Sequence, residues 1–487
     1  MVERLNNADD VSQSRWYWVV LALGLLAGYV VTARFAYAQT AGSSGASTQP
    51  SYKLVRYDED YRYLEDPNRR SDFMDSVKYL PLDKNRDWYL SLGGEVRERY
   101  EYYANANWGL DPQDPNGYLL QRYLISGDLH YRETFRVFGQ LMSARENGRI
   151  NGPRPNDEDF GDLHQGFVDA KLDLKGKGSL VTRVGRQEMF YGSQRLVSVR
   201  EPPNIRLSFD GVRFVYQNES LNVSGFATKP VKTKSGYFDD QSNPDSTFWG
   251  VYGSAPLTIL PGGNVDFYYF GFENDNAIYN LRTDRELRHS VGTRIWGKKS
   301  DWDYNFELVY QFGGFGDGSI SAWTMASDTG YTFAGKPLSP RLFLKTDIAS
   351  GDRNRNDSKL QTFNALFPRG GYFSETGLIG PANIIDVHPG IELQLTRRVS
   401  FVGDWDFFWR ESTDDGIYNN ALKLVRSGNR SSARYIGSQV QAMLQWSVDR
   451  HFTASAVYAH FFAGDFLKET PPGNDVNYFS AWVTYRF

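Results

Sequence analysis

The last ten residues of the chain, 478–487, alternate strictly between two sets of side chains. Phe479, Ala481, Val483, Tyr485 and Phe487 form one set, and Tyr478, Ser480, Trp482, Thr484 and Arg486 form the other. Successive side chains of a strand point to opposite faces, so one face is apolar and the other is mixed or polar. An apolar row that runs to a terminal aromatic residue indicates a strand that faces lipid. It predicts the closing strand of a bacterial outer-membrane β-barrel.

The start of the chain is consistent with export. Residues 16–31 form a short apolar run that follows Arg15 and precedes the small residues Ala36 and Ala38. This layout is typical of a secretory signal cleaved after Ala38. A helical membrane anchor is the alternative, but the run is short for a span of about 20 residues. The expected divisions are a signal over 1–38, a linker and N-terminal periplasmic segment over 39–87, and the barrel over 88–487.

Composition narrows the fold class further. The chain has no Cys, which removes disulfides and thiolate metal sites. Its mean hydropathy is -0.52, and no long apolar run follows the signal, so a helical membrane protein is excluded. A barrel is compatible, because only alternate residues of each strand face lipid. A soluble sandwich or propeller is the alternative, but the blade repeat of a propeller is not evident.

Residues 302–312, 399–410 and 436–446 each show the period of two over about ten residues, the length of a tilted membrane strand. Short connections are expected at 131–134, 175–179, 218–220, 298–301, 396–398 and 448–450. Long connections are expected at 104–117, 145–162, 186–209, 228–247, 273–286, 349–383, 411–433 and 463–475. Short and long connections alternate, as periplasmic turns and extracellular loops do. The pattern predicts an all-β, single-chain antiparallel barrel of about 18 strands from near Trp88, wide enough for an aqueous channel.

The alternation also predicts which charged side chains face the lumen, since a charge facing lipid near the midplane costs about 2–4 kcal/mol. The expected inward basic residues are Arg97, Arg99, Arg122, Arg136, Lys171, Arg183 and Arg213. The expected inward acids are Glu95 and Glu101, then Asp303, Glu307, Asp386, Glu392, Asp404 and Asp406. Two interpretations stay open for these Arg: they hold passing carboxylates or phosphates, or they pair with the inward acids and neutralise the lumen.

Three stretches of the sequence are more specific than the strand pattern that porins share. They are residues 185–211 (GRQEMFYGSQRLVSVREPPNIRLSFDG), residues 349–383 with ASGD, TFNALFPRGGYF and GPAN, and residues 93–101 (GGEVRERYE). Together they resemble the alginate export family of outer-membrane proteins. The loop within 185–211 is expected to fold inward as a constriction or lid, or to pack at the barrel mouth, because long loops in compact folds are usually functional. The loop 349–383 is expected to restrict the extracellular mouth.

The resemblance implies a monomeric channel of the bacterial outer membrane, without a cofactor, that passes an anionic uronate polymer outward through an Arg-lined constriction. The implied substrate-binding residues are Arg97, Arg99, Arg122, Arg136, Arg183, Arg186, Arg195 and Arg206. Implied partners are the polymer, outer-membrane lipid and periplasmic secretion machinery, and no nucleic acid. The alternative is an anion-selective porin for uptake of small acidic sugars or other anions.

Other site types find little support in the sequence. An outer-membrane hydrolase would need a His near Ser193 or Ser198, and no local pattern supplies one. The chain has six His and no His-x-x-x-His pair, so no zinc site is predicted. The oxygen-rich runs 351–357 and 273–276 could coordinate Ca²⁺, but solvated loop polarity explains both.

Overall fold

The computed structural model describes residues 52–260 and 262–487, so the predicted signal over 1–38 and the linker up to Ser51 lie outside the described residues. Within the described part, one sheet contains 20 strands. Two of them, Leu80–Pro81 and Gln241–Ser242, are two-residue additions, and the other 18 form the barrel. The barrel closes where Trp88–Ala104 pairs antiparallel with Val476–Arg486. Closure leaves no unpaired strand edge in hydrocarbon, which confirms the predicted fold class.

The barrel strands are numbered β1 to β18 in chain order. They are Trp88–Ala104, Tyr118–Tyr131, Phe135–Asn147, Asp159–Asp173, Ser179–Gln187, Phe209–Gln217, Asn222–Lys232, Ser246–Leu257, Gly263–Ile278, Thr283–Lys299, Trp302–Phe315, Gly318–Thr332, Arg341–Ala349, Ile384–Gln394, Val399–Trp409, Tyr435–Ser447, Phe452–Ala463 and Val476–Arg486. A small hairpin, Ile417–Tyr418 with Leu424–Arg426, lies between β15 and β16.

Short helices accompany the barrel. They are Arg56–Asp58, Arg62–Glu65, Pro67–Arg69, Asp75–Lys78, Ala106–Gly109, Gly428–Arg430 and Asp465–Glu469. Across residues 52–260 and 262–487, no helix combines the length and apolarity that crossing a membrane requires.

Burial follows the alternation along the strands. On β11, Phe306, Leu308 and Tyr310 are 50–53% exposed, whereas the intervening Glu307 and Val309 are buried. The outer face is therefore apolar, as contact with lipid requires. Exposed aromatic side chains gather at the short-turn end of the barrel, where Trp88, Phe135, Trp302 and Trp446 lie. Such a belt marks the membrane interface.

Most predicted connections agree with the structure, but the long connection expected at 273–286 is wrong. β9 runs to Ile278 and β10 begins at Thr283. The Asn and Asp residues that suggested a loop sit in a bulged part of the ladder, between Asn274 and Ala277. The structure also has connections between β8 and β9, at 316–317 and at 333–340, which the sequence pattern did not predict.

Two loops fold into the barrel and meet there. The signature loop, residues 188–208 between β5 and β6, pairs through Val197 with Phe367 of the mouth loop, residues 350–383 between β13 and β14. The Phe367 amide donates to the Leu196 carbonyl at 2.8 Å. The Phe367 ring packs edge-on against the inward-facing Phe209. Burial of such aromatic rings stabilises both loops in the interior.

The segment 52–58 also reaches this interior. The Tyr57 ring packs edge-on against Phe138 and Phe167, which face inward on β3 and β4. Its hydroxyl donates to the main-chain oxygen of Glu188, at the start of the signature loop, across 2.7 Å. The interior is therefore lined by the two loops and this segment, and not by strand side chains alone.

Candidate functional site

Asn204 positions the signature loop against the barrel wall. Its buried side-chain nitrogen lies 2.8–3.1 Å from the carbonyl oxygens of Gln121, Arg145 and Asp157, which share its two N–H donors. These contacts hold the preceding Glu201-Pro202-Pro203 turn over the inward faces of β1 and β2. Arg97 then donates to the main-chain oxygens of Glu201 and Pro203, at 2.9 Å each.

The Glu201 carboxylate is the centre of a basic cluster. Arg122 lies 2.6 Å from one oxygen and Arg206 lies 3.1 Å from the other. Arg97 and Arg486 approach the carboxylate at 4.0 and 3.9 Å. We call these four Arg and Glu201 the Glu201 cluster. Burial alone would raise the pKa of Glu201, but Arg122 and then Arg206 outweigh burial and lower the pKa below its ordinary value.

Two further acids neutralise most of the remaining charge. Glu95 accepts from Arg122 at 2.9 Å and from Arg486 at 2.8 Å. Glu188 lies 2.7 Å from Arg206. The four Arg of the cluster thus face three carboxylates, which leaves one positive charge. The Arg122 side chain is fully buried, whereas the Glu201 and Arg486 side chains are each 29% exposed, so these two members are the most accessible to solvent.

The other implied binding residues are paired as well. Arg99 contacts Glu101 at 2.7 Å and Glu375 of the mouth loop at 3.0 Å. Arg195, in the signature loop, lies 3.2 Å from Glu307. Arg136 donates to Asp128 at 2.7 Å, and Arg183 donates to Asp169 at 2.8 Å. Each implied Arg therefore has an acidic partner in the described structure, including the predicted inward acids Glu95, Glu101 and Glu307.

Arg186 is placed differently from the rest. It lies on the outer face of β5, three residues from the inward Arg183, and donates to Asp210 on the outer face of β6 at 2.8 Å. Because side chains alternate along the strand, Arg186 does not line the lumen with Arg183.

Arg200 was not singled out from the sequence, and it differs from every Arg above. It precedes Glu201 in the signature loop, and its backbone has a φ of 53°. Its guanidinium carbon lies 5.9 Å from the centre of the Phe367 ring. Among the described residues it has neither an acidic partner nor a side-chain hydrogen bond. Burial lowers the pKa of Arg200 to about 10, so it remains charged at neutral pH.

The candidate site is thus a lumenal patch that combines a paired carboxylate with a free cation. Glu201 is held by Arg groups as a bound carboxylate would be, and the preceding Arg200 has an unpaired guanidinium near the Phe367 ring. Guanidinium forks match planar carboxylates in geometry and charge.

Comparison with known proteins identifies the family to which the sequence is similar. The family model described as alginate export matches residues 88–480, which is well over half of the chain. Among curated proteins, none matches the chain.

Solved structures share the fold at low sequence identity. The BenF-like porin from Pseudomonas fluorescens Pf-5 has a TM-score of 0.56 at 10% identity, over 82% of this chain and 98% of that one. OpdK from Pseudomonas aeruginosa, solved with vanillate, has a TM-score of 0.55 at 10% identity, over 82% and 98% of the two chains. OccK2 (OpdF) from Pseudomonas aeruginosa, solved in complex with glucuronate, has a TM-score of 0.53 at 11% identity, over 84% and 99%.

Proposed function

This chain belongs to the alginate export family and is a channel of the bacterial outer membrane, and we propose that it passes an anionic polysaccharide of the uronate type outward. The observation that carries this proposal is the Glu201 cluster. Arg122 and Arg206 hold the Glu201 carboxylate at 2.6 and 3.1 Å inside the barrel. A uronate residue presents the same group to the same guanidiniums, so Glu201 acts as a built-in stand-in for the cargo.

Passage then proceeds by exchange of carboxylates. An incoming uronate first pairs with Arg200, which precedes Glu201 in the signature loop and has no acidic partner among the described residues. It then competes with the partly exposed Glu201 for Arg122 and Arg206. Each pairing is weakened by competition with a built-in acid, so the polymer binds without being trapped. Several weak sites in series let an anion advance from one to the next.

The test is block of single-channel current by oligouronates in a planar bilayer. We expect wild-type protein to be blocked by oligouronates and not by neutral dextran of equal length. Glu201→Gln removes the built-in competitor, so block should be about tenfold tighter, which corresponds to about 1.4 kcal/mol.

Glu98→Gln is the matched control for this test. Glu98 lies on the same strand as Arg97 but on the outer face, where it accepts from Tyr123 and Gln121. Glu98→Gln removes the same charge as Glu201→Gln, but it does so outside the lumen. Block of the current by oligouronates should therefore be unaltered. Equal block by dextran, or equal effects of the two variants, would contradict the proposal.

A second function has specific support. The loops and the segment 52–58 line the interior, which favours small cargo, and OccK2 was solved with glucuronate. The alternative is therefore an anion-selective porin for small acidic sugars or other anions. Uptake of labelled glucuronate by proteoliposomes, without block by oligouronates, would favour this alternative. Net direction follows from the gradient across the membrane.

The family and the porin fold indicate a channel rather than an enzyme. The serines considered for hydrolysis fit this assignment. The Ser193 hydroxyl donates to Glu307 at 2.8 Å, and the Ser198 hydroxyl accepts the Arg200 amide at 3.1 Å. We further propose that residues 1–38 are an export signal. We propose that the channel is a monomer and meets periplasmic secretion machinery at the short-turn end, beside residues 52–87.

A further inference from the structure

A cluster of metal-ligand type lies on the lumen wall apart from the Glu201 cluster. Asp386 and His388 are two residues apart on β14, and Asp406 lies on the adjacent β15. The i, i+2 spacing puts Asp386 and His388 on the same, inward face. One ligand atom from each of the three residues lies within 4.8 Å of the other two. All three side chains are at least 98% buried.

The carboxylates of this cluster lack the partners that buried acids require. Neither oxygen of Asp406 has a hydrogen-bond donor, and Asp386 Oδ1 has none. Across residues 52–260 and 262–487, no Lys or Arg forms an ion pair with Asp386, Asp404 or Asp406. Lys345 sits opposite His388 on β13, but its ammonium lies over the Phe343 ring, 4.6 Å from the centre. Buried carboxyls this close to each other must share a proton or bind a cation, and a cation would allow both to be ionised.

The position of the imidazole indicates what kind of cation fits. His388 Nδ1 lies 3.1 Å from Asp406 Oδ2, yet the two are not in line for a hydrogen bond. Metal–nitrogen and metal–oxygen bonds of zinc are about 2.0–2.2 Å long, so two ligands of one tetrahedral ion lie about 3.3 Å apart. Nδ1 and Oδ2 are therefore spaced as two ligands of one ion are.

The other ring nitrogen has a carboxylate beside it. Asp404 Oδ1 lies 3.3 Å from His388 Nε2, and Asp404 Oδ2 accepts from Gln441 at 3.3 Å. A metal-bound imidazole ordinarily gives its second N–H to a carboxylate, which orients the ring and strengthens the ligand. Asp404 lies where such an orienting carboxylate would be.

We propose that Asp386, His388 and Asp406 form a site for a divalent transition-metal ion of the zinc type, with Asp404 orienting His388. Imidazole favours zinc and its neighbours, whereas Ca²⁺ takes 6–8 oxygen ligands and this set offers few. Three protein ligands leave a fourth coordination position, which a water molecule would occupy. The site is independent of the proposed cargo.

The test is titration of the purified, folded full chain in detergent with Zn²⁺ alone, with binding measured by isothermal titration calorimetry. We expect one saturable equivalent in the wild type and its loss in His388→Gln. Asp404→Asn should weaken binding 10–100-fold, as expected for an orienting carboxylate. His289→Gln is the matched control, because His289 lies on the outer face of β10 beside Tyr269. A heat-modifiability gel verifies that each variant is folded.

A measurement on the wild type alone guards against variants that fail to fold. Co²⁺ in place of Zn²⁺ should give the intense visible absorption of a four-coordinate site, and Zn²⁺ should abolish it. Three outcomes would overturn the proposal: absence of saturable Zn²⁺ binding in the wild type, binding unchanged in His388→Gln, or Ca²⁺ displacing Zn²⁺ at equal concentration.

Discussion

Arg56 donates from Nη2 to the main-chain oxygen of Phe487 across 2.7 Å. The same oxygen accepts the amide of Gly94 on β1 at 2.8 Å. One acceptor thus joins the N-terminal segment to the seam at which the last strand closes on the first.

Loss of this contact should release the N-terminal segment. In Arg56→Ala, a hydrogen bond from a charged donor is lost, which typically costs about 1.5–3 kcal/mol. We expect limited proteolysis between residues 52 and 87 to become at least tenfold faster while the barrel stays intact. Arg62→Ala is the control, because Arg62 is 45% exposed and pairs with exposed acids. Equal cleavage of the two variants would show that Arg56 does not anchor the segment.

The pH dependence with which the N-terminal segment 52–87 docks on the barrel should follow the titration of Lys78. Burial, and then Arg56, lower the pKa of Lys78 to about 7, from an ordinary value near 10.5. Between these values the released segment binds more protons than the docked one, so docking strengthens as pH rises through this window. Below pH 7 both forms are protonated, and the full cost of the buried ammonium applies. Hydrogen exchange of residues 52–87 should slow from pH 7 to 9 after correction for the intrinsic rate.

Lys78→Met removes the titrating group and supplies the control for this effect. The charged and titratable groups around Lys78 are Arg56, Glu59, Asp75, Arg450, Tyr52 and Tyr61. Burial raises the pKa of Tyr52 and Tyr61 above 10, so neither titrates below pH 9. Corrected exchange in the variant should be flat from pH 7 to 9. A persistent slope would assign the effect to another group.

The lumen should select anions. Arg97 and Arg122 supply half of the Arg charge in the Glu201 cluster. Arg97→Glu combined with Arg122→Glu should shift the reversal potential in a salt gradient toward cation preference. The control pair is Arg132→Glu with Arg285→Glu, because both side chains are 60% exposed; Arg132 lies in a connection and Arg285 near the start of β10. Cation preference in the wild type would contradict the proposed cargo.

The mouth loop should limit conductance. Replacing residues 361–377 with a Gly/Ser linker removes Phe363, Phe367 and Phe373, which pack in the barrel interior. We expect higher single-channel conductance and greater sensitivity of cells to large antibiotics. Shortening the exposed stretch 353–359 by three residues is the control, and it should change neither. Unaltered conductance in a folded 361–377 variant would place this loop outside the conducting path.

Barrel assembly should require the closing strand. Removing residues 477–487 leaves β1 and β17 with unpaired backbone groups in hydrocarbon, each at a cost of several kcal/mol. We expect degraded or aggregated protein and an absence of the heat-modifiable band on gels. Deletion of Phe487 alone should reduce outer-membrane abundance with normal conductance per channel. A normal band from the longer truncation would overturn the role assigned to β18.

The barrel was predictable because its signal is local. A period of two needs only neighbouring residues, so the facing of Phe479 and Tyr478 follows from the sequence and is confirmed by their exposure and burial. The family and the outer-membrane location are likewise confirmed. The run 273–286 was mistaken for a loop because its Asn and Asp residues are typical of turns. Pairing across the sheet kept that run in β9 and β10 despite its composition.

The site was less predictable, because it depends on where loops fold. The sequence indicated inward Arg, but not that Glu201 would reach Arg122, 79 positions away. Likewise, nothing local distinguishes Arg200, whose lack of a partner follows from how two loops meet. The metal-type cluster was missed since His-x-x-x-His is a helical spacing. On a strand, the spacing that matters is the i, i+2 relation of Asp386 and His388.

The backbone pairing of Val197 with Phe367 has a mechanical consequence. If the two loops were not joined, each could move independently, and the pore could then show several current levels. These loops share hydrogen bonds from Phe367 to Leu196 and from Arg369 to Gln194, so displacement of one pulls the other. We therefore expect that a solute which displaces Glu201 from its Arg partners would move both loops together, so that single-channel recordings would show two current levels.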